Sequence, residues 1–184
     1  LITAGRVRLS GLVITGGNGR GEGGGGGGVL VSNFIFPGVT LQGVNVTFER
    51  CDIRGNWASY GGRASSGYGG GLSVILMASG WRGRELAARV TLTRCTVRGN
   101  RAVSGGGLLA YSGTVVLSDS VVCNNSVTAL AVCRSRAQYR GRDFDACGFG
   151  GGVVAFGRPH YPVNVELTSS TVEDNVAAIG ASCA

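Results

Sequence analysis

Lysine is absent from this chain: all 17 basic residues are arginine. A phosphate-binding P-loop needs Gly-Lys-Ser/Thr after its glycines, so the run Gly23–Gly28 is not one. A dinucleotide-binding fingerprint needs a helix after its glycines, and no apolar run of useful length repeats at helical spacing. No stretch of ~18 apolar residues occurs, so nothing here spans a membrane as a helix. Aromatic residues make up only 7% and form no interleaved stacking platform, which argues against a nucleic-acid partner. The six cysteines show no paired C-x-x-C spacing, so a zinc site is not indicated, and no cofactor or metal is expected. Carboxylates number ten and are scattered, with Asp143 and Asp145 a close pair in an insertion; the lone histidine, His160, reads as a loop residue.

Glycine, by contrast, supplies 35 of 184 residues, without the Gly-X-Y period of collagen. A hydrophobic fraction of 43% against 15% charged residues fits a folded chain rather than a disordered one. The length suits one domain, 1–184, and the net charge is +7.

Self-similarity is the strongest signal. Val46-Thr-Phe-Glu-Arg-Cys-Asp-Ile-Arg-Gly-Asn56 returns as Val90-Thr-Leu-Thr-Arg-Cys-Thr-Val-Arg-Gly-Asn100, then as Val115 to Asn125 and Val165 to Asn175. A fifth copy runs from Val7 to Ile14, followed by an extra glycine before Asn18. Each asparagine precedes a glycine triplet with an apolar residue behind it: Gly26–Val29, Gly69–Leu72, Gly105–Leu108 and Gly150–Val153; Gly180-Ala-Ser-Cys183 holds the same place in the last copy. The starting valines are 39, 44, 25 and 50 residues apart, and the excess over 25 falls at two fixed points. Units with insertions at fixed corners mark a solenoid.

Within a unit the apolar residues alternate, which marks strands, and a parity break marks a bend. About three short strands per coil are expected. The predicted inward ladders are Val7/Val46/Val90/Val115/Val165, Leu9/Phe48/Leu92/Leu117/Leu167, Leu12/Cys51/Cys95/Ser120/Ser170 and Ile14/Ile53/Val97/Val122/Val172. A structural asparagine ladder is expected from Asn18, Asn56, Asn100, Asn125 and Asn175. Trp57–Tyr68, Ser79–Arg89 and Thr128–Phe149 are expected to project as corner loops rather than add coils. Outward, Arg50/Arg94/Asp119/Ser169 and Arg54/Arg98/Cys123/Glu173 should stack, and the arginines could attract acidic glycans.

The pattern predicts an all-β fold: a right-handed, single-stranded parallel β-helix of about five coils. It resembles the pectin-lyase-like fold. More narrowly, Gly105-Gly-Gly-Leu108 with Val97-x-x-Asn100, and Ile53-x-x-Asn56, resemble the paired motifs of polymorphic outer-membrane proteins and related adhesins. A third glycine replaces their alanine, and aliphatics replace their phenylalanine. The enzymes of the pectin-lyase-like fold imply clustered carboxylates on one outer face, and the ten here are dispersed.

Cys51 and Cys95 occupy one inward rung and are expected as free, packed thiols. At least one disulfide is expected among Cys123, Cys133 and Cys147, closing a loop worth ~3 kcal/mol on the chain-entropy model. Sequons at Asn45 and Asn124 are candidate glycosylation sites. Together these features lead to a structural or adhesive module of an extracellular or cell-surface protein, with no catalysis, contacting partners through its corner loops. Its partners would be subunits of a surface assembly or the rest of its own chain. A polysaccharide lyase or glycoside hydrolase of the same fold is the alternative. The chain is also expected to be a segment of a longer one, with Leu9, Leu12, Ile14, Leu167 and Val172 facing water at the ends of the stack unless covered.

Overall fold

A computed structural model describes residues 2, 5–19, 26–32, 43–59, 67–75, 88–128, 150–157 and 162–177, and the backbone of 137–139 and 142–144. No helix occurs among them. Coil 1 contains strands β1 (Gly5–Ser10), β2 (Val13–Thr15), β3 (Asn18–Gly19) and β4 (Val29–Ser32). Coil 2 contains β5 (Val44–Glu49), β6 (Asp52–Arg54), β7 (Trp57–Ala58) and β8 (Leu72–Ile75). Coil 3 contains β9 (Ala88–Thr93), β10 (Thr96–Arg98), β11 (Arg101–Ala102) and β12 (Leu108–Ala110). Coil 4 contains β13 (Gly113–Ser118), β14 (Val121–Cys123) and β15 (Ser126–Val127), then a hairpin of β16 (Ala137–Tyr139) and β17 (Arg142–Phe144), then β18 (Val153–Ala155). Coil 5 contains β19 (Val163–Thr168), β20 (Thr171–Glu173) and β21 (Val176–Ala177).

Equivalent strands stack in parallel into β1-β5-β9-β13-β19, β2-β6-β10-β14-β20, β3-β7-β11-β15-β21 and β4-β8-β12-β18. This is a parallel β-helix, and it has four sheets where three were expected. The unexpected sheet is built from the two-residue strands after each ladder position, which are too short to show a period. The valine, leucine and isoleucine/valine ladders pair residue for residue as the repeats predict. Their inward side chains form the core: Val46, Phe48, Ile53, Val90, Leu92, Val97, Val115, Leu117 and Val122 are all 0% exposed.

The turn between the first two strands of a coil uses left-handed backbone at Arg50, Arg94, Asp119 and Ser169, with φ of 48 to 55°. This is the parity break of the sequence, a single residue that reorients the chain, a glycine only in coil 1 (Gly11).

The asparagine ladder joins the second and third sheets. Asn56 and Asn100 each donate one Nδ2 hydrogen to a carbonyl of the preceding coil (Ile14 and Ile53) and the other to the carboxamide oxygen of the following coil. That oxygen also accepts the backbone N–H of the preceding asparagine, at 3.0 Å at Asn100, Asn125 and Asn175 alike. Every polar atom of a buried carboxamide is thereby satisfied. Asn18 is not in this ladder. It pairs with Trp57, and Gly17 holds the rung instead, donating its N–H to Asn56 Oδ1 at 3.0 Å. The glycine taken as an insertion is the ladder residue of coil 1.

The glycine triplets face the asparagines. The first glycine is left-handed, with φ of 54 to 75° in the four copies. A Cβ on the third would fall 2.7 to 2.9 Å from the Nδ2 of the next coil's asparagine: Gly28 on Asn56, Gly71 on Asn100, Gly107 on Asn125, Gly152 on Asn175.

The loop boundaries need correction. Trp57–Ala58 and Ala88–Arg89 belong to coil strands, and Tyr68 bridges Ser104. Ser59 follows β7 and donates its N–H to the Gly19 carbonyl of coil 1, Gly67 is also described, and the rest of Trp57–Tyr68 and Ser79–Arg89 lies outside the described residues. The 50-residue step adds no coil, because β14 and β15 pair directly with β20 and β21. Its insertion carries an antiparallel hairpin that joins none of the four sheets.

The ladder predicts a large, position-specific cost. Asn100→Ala leaves the Asn56 N–H and one Asn56 Nδ2 hydrogen unpaired in the interior and takes one donor from the Ile53 carbonyl. The expected loss is about 3 kcal/mol or more in urea unfolding, whereas Thr91→Ala on the outer face of the same coil should cost under about 0.5 kcal/mol. Equal effects would show that the ladder does not hold the coils.

Candidate functional surface

With the ladders turned inward, the outward positions are where chemistry can meet a partner. Among the described residues of coil 2 two are carboxylates, and arginines hold both. Glu49 is ion-paired with Arg8 of coil 1, and Arg50 Nη1 lies 3.6 Å from its other oxygen. Asp52 receives a two-pronged Arg98 guanidinium, at 3.2 Å to Oδ1 and 2.9 Å to Oδ2, with Arg54 Nη1 at 3.3 Å. The hydrogen bond from Arg8, followed by its charge, holds the Glu49 carboxyl below its ordinary range. The Asp52 hydrogen bond raises the Arg98 guanidinium further above neutrality. These pairs are on the surface, and such pairs contribute little to stability.

Coil 3 has a different balance. Arg89, Arg94, Arg98 and Arg101 are all exposed on it, and its described residues include no carboxylate. Arg89, Arg94 and Arg101 form no ion pair among the described residues. Arg101 pairs in register with Trp57, an indole 45% exposed, and Trp57 pairs in turn with Asn18. An exposed tryptophan in register with Arg101 was not expected from the sequence, where Trp57 fell in a loop. The signal was its place one residue after the ladder asparagine, matching Arg101, Ser126 and Val176. Coil 5 has the opposite sign: Glu166, Glu173 and Asp174 are exposed, and no arginine occurs in 162–177.

The outward stacks Arg50/Arg94/Asp119/Ser169 and Arg54/Arg98/Cys123/Glu173 are present as expected. Of the sequon residues, Asn45 lies half-buried on the outer face of β5, between Arg6 and Arg89. Asn124 is exposed at a corner with φ 53°, immediately before the buried ladder residue Asn125.

Cys51, Cys95 and Cys123 are free thiols. For Cys51 and Cys95 this is the expected state. Cys123, one of the three cysteines among which at least one disulfide was expected, takes no part in one: its side chain sits on the outer strand β14, in register with Arg98 and Glu173. Cys133 and Cys147 lie outside the described residues, as do Asp145 and His160; Asp143 is described only in its backbone, in β17. No group of three or more His, Cys, Asp or Glu side chains is arranged to hold a metal among the described residues. No described helix is long and apolar enough to cross a membrane.

Two measurements check this surface. Burial raises the Cys95 thiol above its ordinary range, and Cys51 is equally enclosed, whereas Cys123 is half-exposed. Iodoacetamide should therefore alkylate Cys123 well before Cys51 or Cys95 in the native protein; equal rates would contradict the rung placement. Because the folded-state carboxyl of Glu49 lies below its ordinary range, its stabilisation is present above that range and lost as pH falls through the folded-state value. Glu49→Gln should thus lower the urea midpoint at pH 7 and not at pH 2–3. A difference that persists in acid would assign the effect to something other than the Arg8 pair.

Comparison of the chain with protein-family models, with curated proteins and with solved structures returns no match.

Proposed function

We propose that this chain is a structural or adhesive β-helix module of an extracellular or cell-surface protein, of the pectin-lyase-like kind and closest in motif to the polymorphic outer-membrane repeats. Its partners are reached through the corner insertions and the adjoining outer face, and the partner class that best suits that face is an acidic glycan. The observation that carries the reading is the coil 3 surface. There Arg101 stands in register with the exposed Trp57, and Arg89, Arg94 and Arg101 form no ion pair among the described residues. Guanidinium groups offer forked donors to carboxylates and sulfates, and an indole offers a flat apolar face to a sugar ring.

The module reading is favoured over a lyase or hydrolase by where the carboxylates stand. Catalysis on this fold calls for several carboxylates converging on one face. In coils 1 to 3 the described outward carboxylates are Glu49 and Asp52, each already engaged by two arginines. The sequons at Asn45 and Asn124, both outward, fit a secreted context.

The test is retention on immobilised heparin, a sulfated polyuronate. The wild-type chain should bind at about physiological ionic strength, where charged contacts more than ~8 Å apart are already screened. Arg94→Glu with Arg101→Glu should elute at clearly lower salt, and Trp57→Ala should weaken binding with less change in salt dependence. A wild-type chain that passes straight through, or a double variant that elutes unchanged, would overturn the glycan assignment.

A further inference from the structure

Each coil turns two corners on left-handed backbone, and the two corners are filled differently. At the second corner stand Gly16, Gly55, Gly99, Asn124 and Asp174, residue types that adopt this conformation at little cost. The first corner stacks Gly11, Arg50, Arg94, Asp119 and Ser169, the first four each donating the backbone N–H to the following coil. Asp119 and Ser169 have short polar side chains that can bond their own backbone. Arginine has no such compensation for a φ of 52 or 55°, where its Cβ is crowded. Coil 1 turns the same corner on Gly11. Strain kept on two successive rungs, where glycine would serve, points to a role for these side chains outside folding.

Their guanidinium groups gather around one carboxylate. Arg50 Nη1 lies 3.6 Å from Glu49 Oε1, and Arg50 Nη2 donates to Ser10 Oγ at 3.3 Å. Arg8 is ion-paired with the other Glu49 oxygen. The Arg8 hydrogen bond and charge first, and then the charges of Arg50 and Arg94, hold the Glu49 carboxyl below its ordinary range. Glu49 thus answers one of three positive charges. The side chains of Arg8 and Arg50 remain 72 and 60% exposed, and Arg94 is exposed as well.

We infer that Arg50 and Arg94, with Arg8 beside them, form a binding site for a sulfate half-ester of the glycan. The inference rests on the glycan reading and narrows it from acidic to sulfated. A carboxylate presents two oxygens in one plane, and at Asp52 the single fork of Arg98 takes both. A sulfate half-ester presents three oxygens as a tripod, enough for guanidinium groups from two rungs ~4.8 Å apart. A uronate would also compete with Glu49, the same chemical group already tethered at the site.

The test uses the full chain on two immobilised polymers. Dextran sulfate carries sulfate and no carboxylate; polygalacturonate carries carboxylate and no sulfate. At one ionic strength the wild type should bind dextran sulfate at least about tenfold more tightly than polygalacturonate. Arg50→Gly with Arg94→Gly, which copies the corner of coil 1, should lose at least about tenfold of that affinity while its urea midpoint stays level or rises. Arg50→Lys with Arg94→Lys keeps the charge, removes the forks and should also weaken binding. A lysine pair that binds as the wild type does would assign retention to overall charge and overturn the inference. So would a glycine pair that keeps its affinity, or one whose midpoint falls, because the arginines would then serve the fold. Equal binding of the wild type to both polymers would overturn the sulfate site and leave the glycan reading standing. Binding to neither would remove both.

Discussion

The contact between a carboxamide and a glycine backbone is the constraint on which the rest of this structure depends. A parallel solenoid must turn a corner in every coil, and a corner exposes backbone groups that no strand pairs. Here the asparagine side chain fills that vacancy. It accepts the previous coil's N–H, donates to the previous coil's carbonyl and donates again to the next carboxamide. The carboxamide packs against the third glycine of the preceding coil, where even a methyl group would collide with it. The x-x-Asn motif and the glycine triplet are therefore two halves of one interaction, distant along the chain and adjacent in space. A chain of aligned amides in a low-dielectric interior also strengthens each bond through its neighbours.

That arrangement divides the molecule's labour. Stacking is secured by groups that never reach the surface. The corner segments can therefore vary in length without disturbing the ladders: coils 4 and 5 pair in full register across 50 residues, as coils 3 and 4 do across 25. The outer face carries no such duty either. Its charge is free to change from coil to coil, and it does, from four arginines on coil 3 to three carboxylates on coil 5. Binding on such a scaffold is determined by which side chains occupy the outward rungs and by what the insertions present.

Stacking in register forces equivalent residues to share one environment, which is why the ladders were readable from sequence. Val46, Val90, Val115 and Val165 resemble one another because they occupy one rung. Readability fails where that pressure stops. A two-residue strand such as Trp57–Ala58 has no period, so the third sheet was invisible and Trp57 was placed in a loop. Asn18 was assigned to the ladder because it is an asparagine near the right place. Yet coil 1 brings Gly27 too close to admit a side chain there, and Gly17 takes the rung. The candidate surface was legible only in part. Single arginines could be placed on outward rungs, but which of them remain unneutralised depends on cross-coil pairs such as Arg8–Glu49 and Arg98–Asp52.

The cysteines show how a rung can override composition. Counted in a chain of this kind, cysteines suggest disulfides. Cys51 and Cys95 instead share a rung with Ser120 and Ser170, and the demand common to all four positions is visible in the bonds. Cys95, Ser120 and Ser170 each accept the N–H of the rung before, and each side chain also reaches the carbonyl two residues back, as Cys51 does to Glu49. A thiol meets that demand weakly and fills the space well. A hydroxyl meets it strongly and fills less. Exchange between cysteine and serine along the ladder is thus a trade of packing against hydrogen bonding, with no redox role required. Burial raises the Cys95 thiol and so keeps it protonated, which is the form the ladder needs if its sulfur is to donate to the Thr93 carbonyl.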